Sequence, residues 1–426
     1  MAADSDPVRQ ALFANLKQSR AAVRLAFRLH KHLAGSSAGA LFVSSYGLAF
    51  YLAIAPPHRR APVVTVAGQA NARRQIARLA AWLGPGQCEA VRAGLRRMLS
   101  PRLLGLLLPS STSGFRRALR VIRTIDRRHG FLVSGRVACA LAWYARGKAI
   151  LQTQPPAAVA VSSDSNPEEV GFAAAARALG IPTVFISHAY PTPFSPPLDF
   201  SLSILGGDAE VRARRKRGAI RGDVLLAGVE GESAPLDPAR VRRPNPVIGI
   251  FTPKAVSWPK LAEVIADCRR RFGARHIVIR WHPSMLEPPR LGQVLTDLSG
   301  IVESPAGAAL PDVARQCDWV VADENSGVHL PVLKLGIPTV GVKNLGLYSR
   351  TDMYGFARDG VVLPPVAAVR DLDADALIRF YSDGWAVKFE QYDAGYLRPD
   401  AAIGAHVRRA VLALSTEAGP RAGVAV

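Results

Sequence analysis

The sequence predicts an α/β protein with two doubly wound, parallel-sheet domains that face each other across a cleft. Three observations support this class. Short apolar strands alternate with helices from residue 157 onward, and the alternation restarts after a polar, proline-containing stretch at 230–246. The six residues LGIPTV occur twice, at 179–184 and 335–340. Strands that alternate with helices are typical of parallel βαβ units.

The composition narrows the class of protein. The 426 residues are enough for two or three domains. Hydrophobic residues make up 49% and charged residues 20%, which argues against an intrinsically disordered chain or a coiled coil. Lysine and arginine outnumber aspartate and glutamate by 54 to 33, giving a net charge of +21. This excess favours anionic partners: nucleic acid, acidic lipid or phosphorylated metabolites.

The cysteines and the N-terminus indicate the compartment. The four cysteines stand far apart without CxxC spacing, which suits neither a disulfide framework nor a structural zinc site. The N-terminal residues MAADSDPVRQ do not have the basic-then-apolar pattern of a secretory signal. We therefore predict a protein of the cytoplasm.

Two segments near the N-terminus allow a membrane interpretation. Residues 1–34 form a basic amphipathic pattern, typical of a helix packed on the domain or of one that docks on anionic lipid. Residues 39–56 contain no charge over 18 positions, the lower limit for a membrane span. Polar residues and a glycine interrupt this run, so we prefer a strand at 40–45, a turn, a buried helix at 48–55 and a strand at 62–67.

The remaining elements follow in order. Residues 71–151 read as helical and include an arginine cluster at 116–128, and a second basic run follows at 212–217. The first domain then continues with strands at 157–162, 182–187 and 200–205 and a helix at 167–179. The second has strands at 247–252, 276–281, 300–304, 318–323 and 337–342, with helices near 259–272, 289–298, 306–316 and 328–335. We place the domains at 1–230 and 246–426.

The two LGIPTV copies predict equivalent joints in the two domains. In each copy glycine ends a helix, proline blocks its continuation, and β-branched residues begin a strand. Ligands of open α/β sheets bind at the carboxyl ends of the strands. The residues that follow these strands are therefore the candidates for a functional site.

In the second domain, His282 and Pro283 directly follow an apolar strand. A histidine there can donate to a phosphate oxygen and offset the charge that develops on a leaving group. The alternative is a histidine bonded to a nearby carbonyl. Lys254, after the first strand of this domain, would add positive charge to the cleft.

The turn at 323–327 is a candidate phosphate seat. It presents Asn325, Ser326 and Gly327 ahead of a helix, where unpaired amides favour an anion. Ordinary helix capping by Asn325 or Ser326 would explain the same residues.

In the first domain, the segment SSDSNPEE at 162–169 follows a strand and opens a helix. Asn166 as cap, Pro167 and Glu169 form a capping box, which makes Glu169 structural and leaves Asp164 free to face the cleft. His188 follows the next strand and is the candidate general base, with a buried joint histidine as the alternative.

The first strand-to-helix turn, with Ser44, Ser45 and Gly47, could contact the acceptor. Several common catalytic motifs are absent, namely GxGxxG, GxxxxGK[ST] and HExxH. Dinucleotide redox, P-loop and zincin chemistry therefore lose their usual support.

Taken together, the Gly-Ile-Pro strand that leads to His188, the His282-Pro283 pair, and the serine turn before a helix ending in Leu-Gly-Ile-Pro resemble glycosyltransferases of the GT-B fold, which has two Rossmann-like domains. Within that fold the chain is similar to bacterial surface-polysaccharide enzymes: the CDP-glycerol glycerophosphotransferase, polysialyltransferase and Kdo-transferase groups. The resemblance implies transfer of a sugar or polyol phosphate from a nucleotide-activated donor, with no metal or cofactor. It also implies that His282, Asn325 and Ser326 hold the donor phosphate and that His188, or Asp164, deprotonates the acceptor.

The resemblance has departures. These families often have Gln-His-Gly where this chain has Ser187, His188 and Ala189, and Ser-Ser where it has Asn325 and Ser326. Many GT-B enzymes have a ribose-binding glutamate where this chain has Pro331. The resemblance implies a glycan or glycolipid acceptor and work at the inner membrane face as a peripheral protein. A nucleotide-sugar 2-epimerase of the same fold is the first alternative. A nucleic-acid-binding protein is the second, although the arginines lack aromatic stacking partners and no nucleic-acid motif is present.

Overall fold

The computed structural model describes residues 51, 53–93, 131–192, 195–283, 285, 291–305, 307–347, 352–382 and 384–417. The predictions for residues 1–34, for the arginine cluster at 116–128 and for Ser44, Ser45 and Gly47 lie outside these residues. Most of the uncharged run at 39–56 lies outside them as well. Within the described part of the chain, no helix is both long enough and apolar enough to cross a membrane.

The first lobe contains a six-stranded parallel sheet with the strand order β3-β2-β5-β6-β7-β8. A short antiparallel pair, β1 with β4, lies beside it. The elements of this lobe are β1 (Ile54–Ala55), β2 (Val63–Val66), α1 (Ala70–Leu83), β3 (Cys88–Ala90), β4 (Arg92–Ala93), α2 (Phe131–Thr153), β5 (Ala158–Val161), α3 (Pro167–Ala178), β6 (Thr183–Ile186), β7 (Asp199–Leu205), α4 (Asp208–Arg215) and β8 (Arg221–Leu226).

The central strands β2, β5 and β6 are buried along their whole length. Their sequences, VVTV, AVAV and TVFI, are continuous apolar or β-branched runs, as strands covered on both faces require. On one face α2 and α3 pack closely. A Cβ at Gly171 of α3 would lie 2.2 Å from the carbonyl oxygen of Ala140 in α2, so only glycine permits this approach.

The sequence prediction was wrong for part of this lobe. The predicted helical region 71–151 is interrupted by β3, because the residues GPG at 84–86 end α1, with positive φ angles at Gly84 and Gly86. The buried helix predicted at 48–55 does not extend to its predicted end, since Ile54 and Ala55 pair with β4 instead.

The second lobe contains a five-stranded parallel sheet with the order β11-β10-β9-β12-β13. The predicted strands are all present, and the helices are shorter than predicted or begin within a few residues of the predicted start. The elements are β9 (Val247–Phe251), α5 (Trp258–Phe272), β10 (His276–Arg280), α6 (Leu291–Val294), β11 (Ile301–Glu303), α7 (Leu310–Ala314), β12 (Trp319–Asp323), α8 (His329–Lys334), β13 (Thr339–Val342), α9 (Ala374–Phe380), α10 (Trp385–Glu390) and α11 (Asp400–Glu417).

The two LGIPTV copies are equivalent joints, as predicted. Gly180 and Gly336 both have left-handed φ angles, +68° and +76°. In each copy the isoleucine amide donates back into the preceding helix, Ile181 to Ala176 and Ile337 to Val332, and a strand follows.

The last helix, α11, packs on the first sheet. Val407 and Val411 are buried in the same cluster as residues of α1 and of β5 to β7. The Trp82 indole donates to the Asp400 carboxylate at 2.9 Å, which fixes the start of α11 against α1. The range 246–426 predicted for the second domain therefore includes a helix that completes the first lobe.

The connections between the lobes are held by a buried ion pair. Lys334 Nζ lies 2.9 Å from the Asp393 carboxylate, and the two side chains are 3% and 0% exposed. Lys334 Nζ also donates to the Val229 carbonyl at 2.6 Å, and Asp393 Oδ1 accepts from the Val229 amide at 3.0 Å. Gly228 has a φ of +74°, and a Cβ there would lie 2.2 Å from Asp393 Oδ1. Burial lowers the pKa of the Lys334 ammonium, while the Asp393 charge acts in the opposite direction.

We predict that Lys334→Met lowers the free energy of unfolding by about 3–5 kcal/mol, because it leaves Asp393 as an uncompensated buried charge. Urea unfolding followed by circular dichroism measures this. The exposed Lys388 in α10 provides the control, since Lys388→Met should change the free energy by less than about 0.5 kcal/mol. Equal stability of the two variants would contradict the role given to the ion pair.

Candidate functional site

The carboxyl ends of the two sheets face each other, as an aromatic contact and an electrostatic interaction between the lobes indicate. Tyr190, four residues after β6, packs edge-on against Tyr354 at 5.8 Å between ring centroids and stacks on Tyr392 at 5.3 Å. Arg74, near the start of α1, lies close enough to Arg280 at the end of β10 for the two like charges to interact. The space between these contacts is the predicted cleft.

The turn between β5 and α3 is fixed by Glu169. Asn166 stands at the N-cap position of α3 and Pro167 opens the helix, as predicted, but the Asn166 side chain makes no capping hydrogen bond and the Glu169 carboxylate does not bind the cap amide, so the predicted capping box is not formed. It accepts hydrogen bonds from the amides of Ser162 and Ser163 at 2.8 and 2.7 Å and from the Gly68 amide at 3.2 Å. The Asn166 side chain donates to it as well, at 3.2 Å. Glu169 therefore joins the turn after β2 to the turn after β5, the neighbouring strand in the sheet.

Glu169 has a structural role, as its sequence context predicts. Burial raises the pKa of Glu169 to about 7, although its four hydrogen bonds act in the opposite direction. Such a carboxylate can resemble a catalytic acid. Here its oxygens face backbone donors rather than the cleft.

His188 lies at the end of β6 and is half-buried. Its Nδ1 lies in hydrogen-bond contact with the Ser162 carbonyl. A carbonyl oxygen can only accept, so Nδ1 carries the proton, and in the neutral ring the lone pair is on Nε2. This is the tautomer that a general base needs.

Asp164 is not free, contrary to the prediction from its place before the cap. Its carboxylate forms an ion pair with Arg214 of α4, whose side chain is 3% exposed. Arg214 also contacts Glu210 at 3.5 Å, and Ser187 donates to Glu210 at 2.8 Å. Burial raises the pKa of Glu210, and the nearby Arg214 charge opposes this. The result is a buried polar network directly behind His188.

Sequence analysis missed Arg214 and Glu210. Both lie in or beside the basic run at 212–217, where charge alone gives no sign that one arginine points inward. The spacing does carry a signal: Glu210 and Arg214 stand four residues apart on one face of α4.

In the second lobe, His282 follows β10 and is half-buried. Its backbone amide donates to Thr252 Oγ1 at 3.1 Å, and its carbonyl accepts from the Met285 amide at 2.9 Å. Thr252 follows β9, the neighbouring strand, so the hydrogen bond from the His282 amide joins the carboxyl ends of β9 and β10. Lys254 lies two residues beyond Thr252 and is also half-buried.

The turn after β12 is built on Asp323. Its carboxylate accepts from the Asn325 and Gly346 amides at 3.2 and 2.8 Å, and its carbonyl accepts from the Ser326 amide at 2.9 Å. Ser326 Oγ accepts from the Val328 amide at 3.3 Å, but Val328 is itself the N-cap residue of α8, which has no side-chain cap, so the predicted capping by Asn325 or Ser326 is wrong. Gly327 is exposed, and no atom lies within 4 Å of where its Cβ would be.

The side-chain amide of Asn325 has a hydrogen-bonded oxygen and a nitrogen without an acceptor among the described residues. Its Oδ1 accepts from the Met353 amide at 2.7 Å. Its Nδ2 is buried and has no hydrogen-bond acceptor among the described residues. A buried donor without an acceptor is costly unless a ligand or water satisfies it. Asn325 Nδ2 is therefore a buried donor without an acceptor in the described part of the chain, at the turn that the sequence predicts as the phosphate seat.

His329, which sequence analysis missed, anchors this turn from below. It is fully buried, with Nε2 3.0 Å from the Asp323 carbonyl and Nδ1 2.8 Å from Thr339 Oγ1. Nε2 must donate to the carbonyl, so the Thr339 hydroxyl donates to Nδ1. Burial lowers the pKa of His329 to about 4, which keeps it neutral. Its position three residues after Ser326 was available in the sequence, but its burial was not.

Arg280 is the second residue that sequence analysis missed. It closes β10, next to His282, and its Nε is buried without a partner among the described residues. Burial lowers the pKa of Arg280, and the facing charge of Arg74 adds to the effect. Two cations that face each other across a cleft favour an anion between them.

The predicted donor residues lie along one sheet edge. His282 follows β10, Lys254 follows β9, and Asn325, Ser326 and Gly327 follow β12, in the spatial order β10-β9-β12. Strands in a sheet are ~4.8 Å apart, so the outer two ends stand roughly 10 Å apart, with the end of β9 between them. His188 and Asp164 lie at the first-lobe edge. Within the described residues, no group of three or more histidine, cysteine, aspartate or glutamate side chains could hold a metal ion.

Comparisons with known proteins identify the fold. No protein-family model and no characterised protein matches the sequence. Among solved structures, a protein assigned as a UDP-N-acetylglucosamine 2-epimerase from Listeria monocytogenes matches with a TM-score of 0.51 and 12% identity, over 86% of this chain and 100% of that one. The glycosyltransferase SnogD from Streptomyces nogalater matches with a TM-score of 0.40 and 16% identity, over 83% and 99%.

A UDP-GlcNAc 2-epimerase from Neisseria meningitidis, solved with UDP-GlcNAc bound, matches with a TM-score of 0.44 and 11% identity, over 82% of this chain and 99% of that one. These identities are low, and the likeness concerns architecture. The two facing parallel-sheet lobes have the GT-B fold that the sequence predicts.

Proposed function

We propose that this chain transfers a sugar unit, or a polyol phosphate, from a nucleotide-activated donor to a bacterial surface or capsular polysaccharide. The observation that carries the proposal is the buried Asn325 Nδ2, without an acceptor among the described residues, at the edge that also holds His282 and Arg280. A phosphoryl oxygen of a nucleotide donor would satisfy this group.

The donor phosphates would lie over the carboxyl end of β9. His282 would reach them from the β10 side, Asn325 and Ser326 from the β12 side, and Lys254 from the centre. Breaking the bond to the sugar leaves negative charge on the departing nucleotide, and preorganised donors stabilise that charge most where water is excluded. Arg280, with Arg74 opposite, would add positive charge at the same place.

The acceptor hydroxyl would lose its proton to His188. Its Nδ1–H bond to Ser162 orients the ring and places the lone pair on Nε2. Asp164 cannot replace it without giving up its ion pair with the buried Arg214. The roles are therefore divided between the lobes: His188 activates the acceptor, and the second lobe stabilises the leaving group.

The acceptor class and the location rest on charge. A net charge of +21 favours an anionic glycan or glycolipid and a cytoplasmic protein that associates with the inner membrane face. Nucleic acid is not an expected partner, and neither a metal nor a cofactor is needed for direct displacement. Pro331 leaves ribose recognition to other residues, so the nucleotide is not assigned.

A nucleotide-sugar 2-epimerase is the second candidate. It would use the same donor seat, and a structural match with a TM-score of 0.51 is to a protein assigned that activity. An epimerase needs no acceptor hydroxyl. The two candidates therefore differ in their requirement for a second substrate.

We predict that one nucleotide among CMP, CDP, UDP and GDP raises the melting temperature of the wild-type chain and that His282→Ala abolishes the shift. At 100 times the Kd the stabilisation is about 2.7 kcal/mol. His276→Ala is the matched control, because His276 is exposed at the opposite end of the same strand. Indifference of the wild type to all four nucleotides, or equal shifts in both variants, would contradict the donor seat.

We predict that His188→Ala lowers the kcat for transfer of the sugar unit from the nucleotide donor by about 100-fold or more, because general base catalysis is lost. Chromatography of the products distinguishes the two candidate functions. Nucleotide release that requires a glycan acceptor supports transfer, whereas inversion at C2 without an acceptor would establish the epimerase instead.

A further inference from the structure

A pocket of about 170 Å³ lies between the two lobes, beside the candidate site. Its walls are α4 and residues 190–192 of the first lobe and residues 353–359 of the second. Tyr190 stands two residues after His188, and the Met353 amide donates to Asn325 at 2.7 Å. The pocket therefore adjoins both halves of the site but contains none of the groups assigned to the donor.

The charge in this pocket is strongly positive. Four cationic side chains line it, and one carboxylate accompanies them: Arg212, Lys216, Arg217 and Arg358, with Asp359. A concave surface lined by one sign of charge focuses the field and attracts an anion.

The one carboxylate is already engaged. Asp359 accepts from Arg358 at 2.6 and 3.0 Å, one bond to each oxygen, and from the Tyr392 hydroxyl at 2.6 Å. Arg212 donates at 2.8 Å to a neutral group, the Gln391 side-chain oxygen. The Arg212 charge also helps to lower the pKa of Asp359. This carboxylate therefore balances Arg358 and Arg212, and it forms no ion pair with Lys216 or Arg217.

Lys216 and Arg217 are the two remaining cations, and all four cationic side chains of the pocket are exposed. Neither Lys216 nor Arg217 forms an ion pair with any carboxylate in the described part of the chain. Positive charge at the end of α4 would also stabilise that helix through its dipole. The dipole does not account for Arg358, which comes from the opposite lobe.

The second-lobe wall is shaped for that arginine. Gly355 has a φ of +76°, and a Cβ there would lie 2.4 Å from Arg358 Nη2. Glycine thus provides both the left-handed turn and the room for the guanidinium. The aromatic contact between Tyr190 and Tyr354 fixes the wall beside it.

We propose that this pocket binds a phosphate group of the second substrate, so that the acceptor is a phosphate-bearing molecule. The inference rests on the proposed function. Phosphate offers several strong acceptor oxygens and up to two charges, which arginine and lysine recognise from different sides. The donor's own phosphates have a separate seat at the edge formed by β9, β10 and β12. The pocket lies on the His188 side, where the acceptor is deprotonated.

The test is calorimetric titration with inorganic phosphate at constant ionic strength, with and without the nucleotide that stabilises the chain. The double variant Lys216→Ala/Arg217→Ala should bind phosphate at least about tenfold more weakly, since each lost charge-assisted bond is worth about that factor. It should bind the nucleotide normally. Arg215→Ala is the matched control on the same helix, because Arg215 is exposed but does not line the pocket.

Equal phosphate affinity in the wild type, the double variant and the control would overturn the proposal. Displacement of phosphate by the nucleotide, with weaker nucleotide binding in the double variant, would assign the pocket to the donor and overturn it as well. If no nucleotide binds while the pocket variant alone loses phosphate, the proposed function fails. The pocket then remains an anion site without an acceptor role.

Discussion

The buried ion pair between Lys334 and Asp393 fixes the position of the chain segments that connect the two lobes. Lys334 ends the helix that follows the candidate phosphate turn, and Asp393 lies on the segment that returns the chain to the first lobe. Both side chains bind the backbone of Val229, at the other crossing between the lobes. The pair therefore joins both crossings and the end of α8 at one point. Because both charges are buried, the geometry is hard to change without leaving one of them alone.

Around that point the two lobes have different chemical characters. The first-lobe edge is a network of buried charges and hydrogen bonds, with Glu169 joining two turns and Arg214 joining Asp164 to Glu210. The second-lobe edge presents donors: the Asn325 amide, His282 and the Arg280 guanidinium. In the proposed function, the first-lobe edge would activate a hydroxyl and the hydrogen-bond donors of the second-lobe edge would stabilise a phosphate.

The sequence predicted the strands well because parallel strands buried on both faces are continuous β-branched runs, as in VVTV and TVGV. It also placed His188, His282 and the 325–327 turn after strands, where the structure has them, and their roles stay predictions. It did not predict that Asp164 is engaged, because Arg214 lies 50 residues away and meets it only in the folded chain. The packing of α11 on the first lobe could not be predicted either, since the sequence of an amphipathic helix does not show which sheet the helix covers.

Burial explains the other omissions. Burial keeps His329 neutral, so that it can hydrogen-bond the turn above it. Burial and the charge of Arg74 both lower the pKa of Arg280. Neither residue belongs to a recognisable motif. Their roles depend on distances between elements that periodicity and spacing do not provide.

A crystal structure of the chain with its stabilising nucleotide tests the central claim most directly. We expect the phosphates over the carboxyl end of β9, with an oxygen within hydrogen-bond distance of Asn325 Nδ2 and of the His282 ring. A nucleotide bound at the amino edge of the second sheet, or outside the space between the lobes, would contradict the account.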